Sequence, residues 1–168
     1  GRLGNQMFQY AAARGLAARL GTQVALDARG AIQRGEGVLT RVFELPLVDA
    51  TPLPPLRQNA PLQYGWWRLT GAAPAFRRER GLGYNANLET CPDGAYLHGY
   101  WQSERYFGHV SDELRSDFTF PEFSSTENAD MADRIGGSLS ISLHVRRGDY
   151  LTLDAHILCD EAYYTAAL

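Results

Sequence analysis

The sequence predicts an α/β fold on three observations. Residues 7–20 have helical periodicity and lead into a short β-type run; residues 95–110 pass from strand to helix; residues 138–145 read as a strand that turns at Gly148. Such alternation belongs to sheets covered by helices. At 168 residues the chain is long enough for one ordinary domain or two very small ones, and its 45% hydrophobic content can fill a core.

Residues 1–6, Gly-Arg-Leu-Gly-Asn-Gln, read as a turn or loop. Either the glycines end a strand and let the chain turn, or backbone amides at the following helix N-terminus bind an anion or a sugar hydroxyl. The segment has neither the GxGxxG spacing of a dinucleotide site nor the lysine of a P-loop. Asn5 and Gln6 are candidate donor or acceptor contacts, or caps for the helix and its loop. From residue 7 to residue 20, Met7, Ala11 and Ala18, flanked by Phe8, Ala12, Leu16 and Leu20, recur at helical spacing. Gly15 weakens this helix locally and Gly21 stops it. Residues 22–26 read as a strand ending at Asp27.

Residues 30–92 look irregular. A short strand is expected within 38–47, and Pro46, Pro52, Pro54, Pro55 and Pro61 interrupt anything longer. Tyr64, Trp66 and Trp67 read as loop aromatics that anchor to the core or stack on a sugar. Arg77, Arg78, Glu79 and Arg80 read as a solvated patch. Residues 95–100 form a strand pattern, Ser103 a helix cap, and 112–118 a helix stopped by Pro121. At that strand-to-helix passage Tyr100 and Trp101 suit core packing, and Gln102 is the polar candidate for a ligand contact. Residues 126–135 read as a helix ended by Gly136 and Gly137, and 138–145 as a central or semi-buried strand. A last helix begins near Asp160 and runs out without a cap or following strand, the pattern of a piece of a longer protein.

Sixteen basic against nineteen acidic residues argue against a nucleic-acid scaffold, which carries a basic excess. Cys91 and Cys159 lack CxxC spacing and read as reduced thiols. No apolar run approaches the roughly 20 residues that span a bilayer. Asp149, Asp154, His156, Cys159, Asp160 and Glu161 carry ligand atoms without an ordered zinc or calcium spacing, so no metal site is expected. His98 and His109 read as packing or surface residues.

The chemistry concentrates in His144-Val145-Arg146-Arg147-Gly148-Asp149-Tyr150. Charges near the end of an apolar strand are costly to bury unless paired. Two adjacent arginines there imply either a structural ion pair or a planar anion such as phosphate, gripped by their donor forks.

This segment resembles the donor-site signature of the α-1,2-fucosyltransferases of glycosyltransferase family 11, and shares the His-x-Arg-Arg-x-Asp pattern of the broader α-1,2/α-1,6/protein-O-fucosyltransferase group. Residues 1–11 resemble the family's Gly-Leu-Gly-Asn-Gln-Met-Phe-Gln-Tyr-Ala start, with Arg2 where many members have glycine. Residues 99–107, Gly-Tyr-Trp-Gln-Ser-Glu-Arg-Tyr-Phe, resemble its middle signature, and Cys159, Tyr163 and Tyr164 resemble later family positions. The resemblance implies a fragment of a two-lobed GT-B glycosyltransferase with Rossmann-like domains. Residues 1–136 would be the acceptor-side α/β domain and 137–168 the beginning of the GDP-fucose-binding domain. It further implies inverting transfer of L-fucose from GDP-β-L-fucose to the 2-hydroxyl of a galactose-containing glycan or lipid-linked saccharide, with no required metal.

On that resemblance Arg146 would bind the donor diphosphate and stabilise charge on departing GDP, the catalytic role. His144 and Arg147 would join it in donor binding, and Asp149 would organise the loop or act as a catalytic group. Asn5, Gln6 and Gln102 would supply donor or acceptor contacts. The isolated fragment is expected to be inactive. Composition points to a bacterial cytoplasmic protein, peripheral to the inner membrane where such precursors face that compartment; the oligomeric state is open. Two other readings stay open: a carbohydrate-binding derivative without turnover, and a phosphate-binding α/β protein of another class.

Overall fold

One long helix, α1 (Leu3–Leu20), is the axis of the first of two packing units, Gly1–Pro121, and Glu122–Leu168 is the second. The structure, a computed structural model, describes residues 2–50, 53–70, 75–81, 83–145 and 159–167. Helix α1 begins a full turn earlier than its periodicity indicates. Leu3 and Met7 pack on the same apolar cluster as Tyr10 and Ala11, which extends the buried stripe backwards and draws Asn5 and Gln6 out of the expected loop. Gly21 ends the helix as expected, in the left-handed region at φ 65°, and its N–H returns to the carbonyls of Ala17 and Ala18.

Small side chains let α1 carry apolar clusters on two flanks. Tyr10, Ala11 and Ala17 pack with Val24, Leu39, Phe43, Val110 and Leu114. Ala12 and Leu16 pack with Leu88, Cys91, Trp101 and Tyr106. Gly15 lies against the Tyr106 carbonyl so closely that a Cβ would overlap it, so this glycine serves a close approach rather than merely weakening the helix. The Tyr10 hydroxyl donates to Asp117 at 2.7 Å across the first cluster.

The strand expected at 22–26 reduces to one parallel bridge, Val24 to Leu47. Its prospective neighbour in 38–47 does not stay extended. The chain turns through a short 3-10 helix at Leu39–Arg41, where Gln6 holds the backbone on either side of Val38. Among the described residues the irregular middle holds the α-helices α2 (Arg29–Gln33) and α3 (Pro61–Thr70). Pro61, read as a breaker, opens α3, where its fixed φ and missing N–H cost nothing. Tyr64, Trp66 and Trp67 are therefore helical. Trp67 is buried against Tyr64 and Phe76, whereas Trp66 faces outward.

Strands β1 (Phe76–Arg78) and β2 (Tyr96–His98) form a parallel pair in the register Phe76 to Tyr96, Arg77 to Leu97 and Arg78 to His98. After β2 come 3-10 turns at Glu104–Tyr106 and Gly108–Val110 and then α4 (Ser111–Asp117). Ser103 occupies the cap position of the first turn, but its side chain makes no capping bond.

In the second unit, α5 (Thr126–Gly136) is capped by Ser125, whose Oγ accepts from the Asn128 amide at 3.2 Å. The central or semi-buried strand expected at 138–145 is not formed. Leu139, Ile141, Leu143 and Val145 are exposed, and no described strand of this unit pairs with them. An extended run cannot satisfy its backbone as a strand without a neighbouring ladder. Helix α6 (Glu161–Ala167) follows Asp160, whose Oδ1 accepts from the Tyr163 amide at 2.9 Å.

Candidate functional site

Two of the sequence-predicted contacts meet. The Gln102 side-chain amide donates to Asn5 Oδ1 at 2.9 Å, joining the first turn of α1 to the segment after β2 across 97 residues of sequence. Gln102 is exposed and Asn5 half-buried, so this pair has an accessible side.

The backbone beneath it is held from several directions. Trp101 has φ 55°, a left-handed conformation that side chains other than glycine rarely adopt, with its indole buried in the second cluster. The Glu79 carboxylate accepts from the Tyr100 amide at 2.6 Å and the Trp101 amide at 3.0 Å. Gln9 donates to the Gly99 carbonyl at 2.6 Å. A Cβ at Gly99 would overlap the Glu79 side chain, so the glycine leaves room for the clamp. Strain over-determined in this way fixes where Gln102 emerges. The indole Nε1 of Trp101 is buried without a hydrogen-bond partner, as is that of Trp67.

Gln6 is different. It is 6% exposed, donates from Nε2 to the Gly37 carbonyl at 2.7 Å, and accepts at Oε1 from the Leu39 amide at 2.9 Å. Its amide fastens the 37–39 turn to α1 with both of its polar atoms.

A groove of about 910 Å³ opens beside α1, with Gln9, Asp27, Arg34, Tyr96, His98 and Tyr100 in its wall. That volume suits a ligand of a few sugar rings. Asp27 supplies its best-ordered charge. The Arg29 guanidinium donates to both carboxylate oxygens at 2.8 Å, the Arg29 amide adds a contact at 3.2 Å, and the Tyr96 hydroxyl donates at 3.0 Å. Burial alone would raise the Asp27 pKa; these bonds and the Arg29 charge outweigh it and hold the carboxyl below its ordinary value. Burial, followed by the adjacent Asp27 charge and hydrogen bond, pushes the Tyr96 phenol well up, so it remains a donor. Asp27 is thus a fixed carboxylate at the groove rather than a proton carrier near neutrality.

Sequence reasoning missed Asp27, Arg29, Gln9 and Glu79. An acid closing a short β-type run was the visible signal for Asp27. Glu79 offered none, because its charge sits among arginines and its partners are backbone amides.

His144 is exposed in the second unit. Arg146, Arg147 and Asp149 lie outside the described residues, as do Asp154 and His156. Among the described residues no group of three or more His, Cys, Asp or Glu side chains is placed to hold a metal. His98 is exposed beside Phe76, and His109 Nε2 lies 3.0 Å from the Gly15 carbonyl. Both cysteines are free, Cys91 buried and Cys159 exposed. No helix among the described residues is long and apolar enough to cross a membrane.

The family model Glycosyl transferase family 11 matches residues 80–168, slightly more than half the chain. An α-1,2-colitosyltransferase of Escherichia coli is 29% identical over 177 aligned positions, covering 98% of this chain. The chain spans 59% of that relative's length. No solved structure gives a significant match. The matched range takes in the segment after β2 and the His-x-Arg-Arg-x-Asp segment, and the chain belongs to glycosyltransferase family 11, the α-1,2-fucosyltransferase family.

Proposed function

We propose that the whole protein is an inverting glycosyltransferase that moves L-fucose from GDP-β-L-fucose to the 2-hydroxyl of a galactose-containing glycan or lipid-linked saccharide. In this reading residues 1–136 are the acceptor-side domain and 137–168 open the donor domain of a two-lobed GT-B enzyme. The observation that carries it is the hydrogen bond between Gln102 and Asn5. It joins two of the three ordered sequence signatures at one accessible point, and the family match covers the second and third.

The chemistry needs positive charge where the diphosphate departs. Arg146 supplies it through a guanidinium fork, with Arg147 and His144 as further donor contacts and Asp149 ordering the loop by pairing with an arginine. Nucleotide departure needs no metal in this scheme, since guanidinium charge takes that role. Asn5 and Gln102 hold hydroxyls at the acceptor side, while Gln6 fixes the turn behind them. The groove beside α1 accommodates the rest of the acceptor, with the Asp27 carboxylate accepting hydroxyl hydrogen bonds.

One other donor has specific support, because the E. coli relative is named for colitose, which is L-fucose without its 3-hydroxyl. A site that hydrogen-bonds that hydroxyl discriminates strongly against a donor lacking it, whereas an apolar contact there does not. The test is to incubate the whole protein with GDP-fucose or GDP-colitose and a panel of galactosides, then determine linkage in the products. An α-1,2-fucosyl galactoside is expected. Colitosyl product alone would move the donor assignment, and glycan binding without GDP release from either donor would replace the enzyme with a binding module.

A further inference from the structure

Strands β1 and β2 turn one shared face to the groove beside α1. In their parallel register Phe76 lies beside Tyr96 and Arg78 beside His98, and residues two apart on a strand point to the same side. All four line the groove. Arg68 joins them from α3, with its guanidinium carbon 3.9 Å from the centre of the Phe76 ring. That ring is itself fixed, stacked on Tyr96 at 6.0 Å and met edge-on by the buried Trp67. A guanidinium resting on an aromatic face keeps N–H groups at its edge for a second partner, and its preorganised fork loses little freedom on binding one.

No described carboxylate pairs with this charge. Among the described residues neither Arg68 nor Arg78 forms an ion pair. Three acids share the groove wall, Asp27, Asp49 and Asp93. Asp27 is held through both oxygens by Arg29, and Asp93 accepts from the Gly94 amide in its own turn at 2.7 Å. Glu79, the neighbour of Arg78 in sequence, is committed to the Tyr100 and Trp101 amides. Two guanidinium forks and an imidazole at one strand face, with no carboxylate paired to them, are a donor set for an oxyanion. His98 stands four residues before Gln102, a reach of at most about 14 Å, so an acceptor of a few sugar units spans from this face to the Asn5–Gln102 pair.

We propose that the acceptor carries an acidic group, a carboxylate or a phosphate, and that Arg68, Arg78 and His98 receive it in the groove. The inference rests on the reading of this groove as the acceptor side, and it makes the enzyme select charged over neutral galactosides. The departing donor diphosphate is a separate anion, assigned above to Arg146.

The test uses the whole protein with its donor, GDP-fucose or GDP-colitose, and three galactosides. They are alike except that one is neutral, one bears a glucuronate and one a phosphate at its reducing end. KM for transfer is measured for each, and Kd by calorimetry without donor. At least one anionic galactoside is expected to show KM and Kd roughly tenfold below the neutral one, an advantage that shrinks at high salt. The arm that shows it identifies the source of the anion. In the double variant Arg68→Gln, Arg78→Gln the charged-to-neutral ratio should approach one, with KM for the donor unchanged. Because Arg68 also packs on Phe76, Arg78→Gln alone is measured beside it and should lose part of the advantage, which Arg78→Lys should partly restore. Equal values for all three galactosides, or an advantage that both variants retain in full, overturn the proposal and leave the transferase reading standing. A rise in donor KM in either variant overturns it in favour of the donor diphosphate as the anion held there. Transfer to none of the three, with charge-selective binding still lost in Arg78→Gln, sustains the anion site and overturns the transferase reading. Absence of both transfer and charge-selective binding overturns both.

Discussion

Gln6 and Asp27 show how single polar residues are committed before any ligand arrives. Replacing Gln6 by alanine leaves the Gly37 carbonyl and Leu39 amide without their partner in a nearly dry site. A loss of about 2–3 kcal/mol is expected, measured by urea unfolding. Unchanged stability would mean the turn is held by other contacts. Asp27→Asn keeps the shape but removes the charge that Arg29 and Tyr96 serve, and should cost about 2 kcal/mol near neutral pH. Because the folded carboxyl is held below its ordinary value, its contribution is complete above about pH 4 and is lost as pH falls through the lowered value. Stability of the wild type minus that of Asp27→Asn should therefore shrink on acidification below pH 4, to be checked by unfolding across that range. Gln6 was legible as a polar residue beside a helix start. Its structural role was not, because it depends on a partner turn more than thirty positions away.

At the level of elements, α1 and its stop at Gly21 were readable because helical spacing and a left-handed glycine are local signals. Its first turn was not, since only tertiary burial of Leu3 and Met7 extends it. Helix α3 was hidden by a proline read as an ending where it is a beginning, and by a stripe of aromatics without a polar face. The run at 138–145 shows the opposite failure. Its β-branched and apolar residues spell a strand, yet strand formation depends on a neighbour. Gly15 gives an element-scale test with an unusual sign. Alanine is ordinarily the better helix former by about 1 kcal/mol. Here its Cβ would drive into the Tyr106 backbone, a rigid neighbour, so Gly15→Ala should lower stability by about 1–2 kcal/mol net in thermal or urea unfolding. Stabilisation by that change would show that the 104–107 turn gives way freely.

Over the whole molecule, two packing units share the family's signatures unequally. The first holds the Asn5–Gln102 pair, the clamp on Trp101 and the groove, and the second carries His144 and the arginine segment beyond it. Replacing Asn5, Gln102 or both by alanine should weaken acceptor use non-additively, because the two side chains share one hydrogen bond. Additive effects in that double-mutant cycle would mean they act separately. In the proposed function the donor half of the chemistry rests on one guanidinium, that of Arg146. The most direct measurement is kcat/KM for fucosyl transfer by the whole protein and its Arg146→Ala variant, with folding compared by thermal unfolding. A fall of roughly a hundredfold or more at an unchanged midpoint is the expected result. Undiminished transfer by the variant would contradict Arg146 as the group that receives the departing diphosphate.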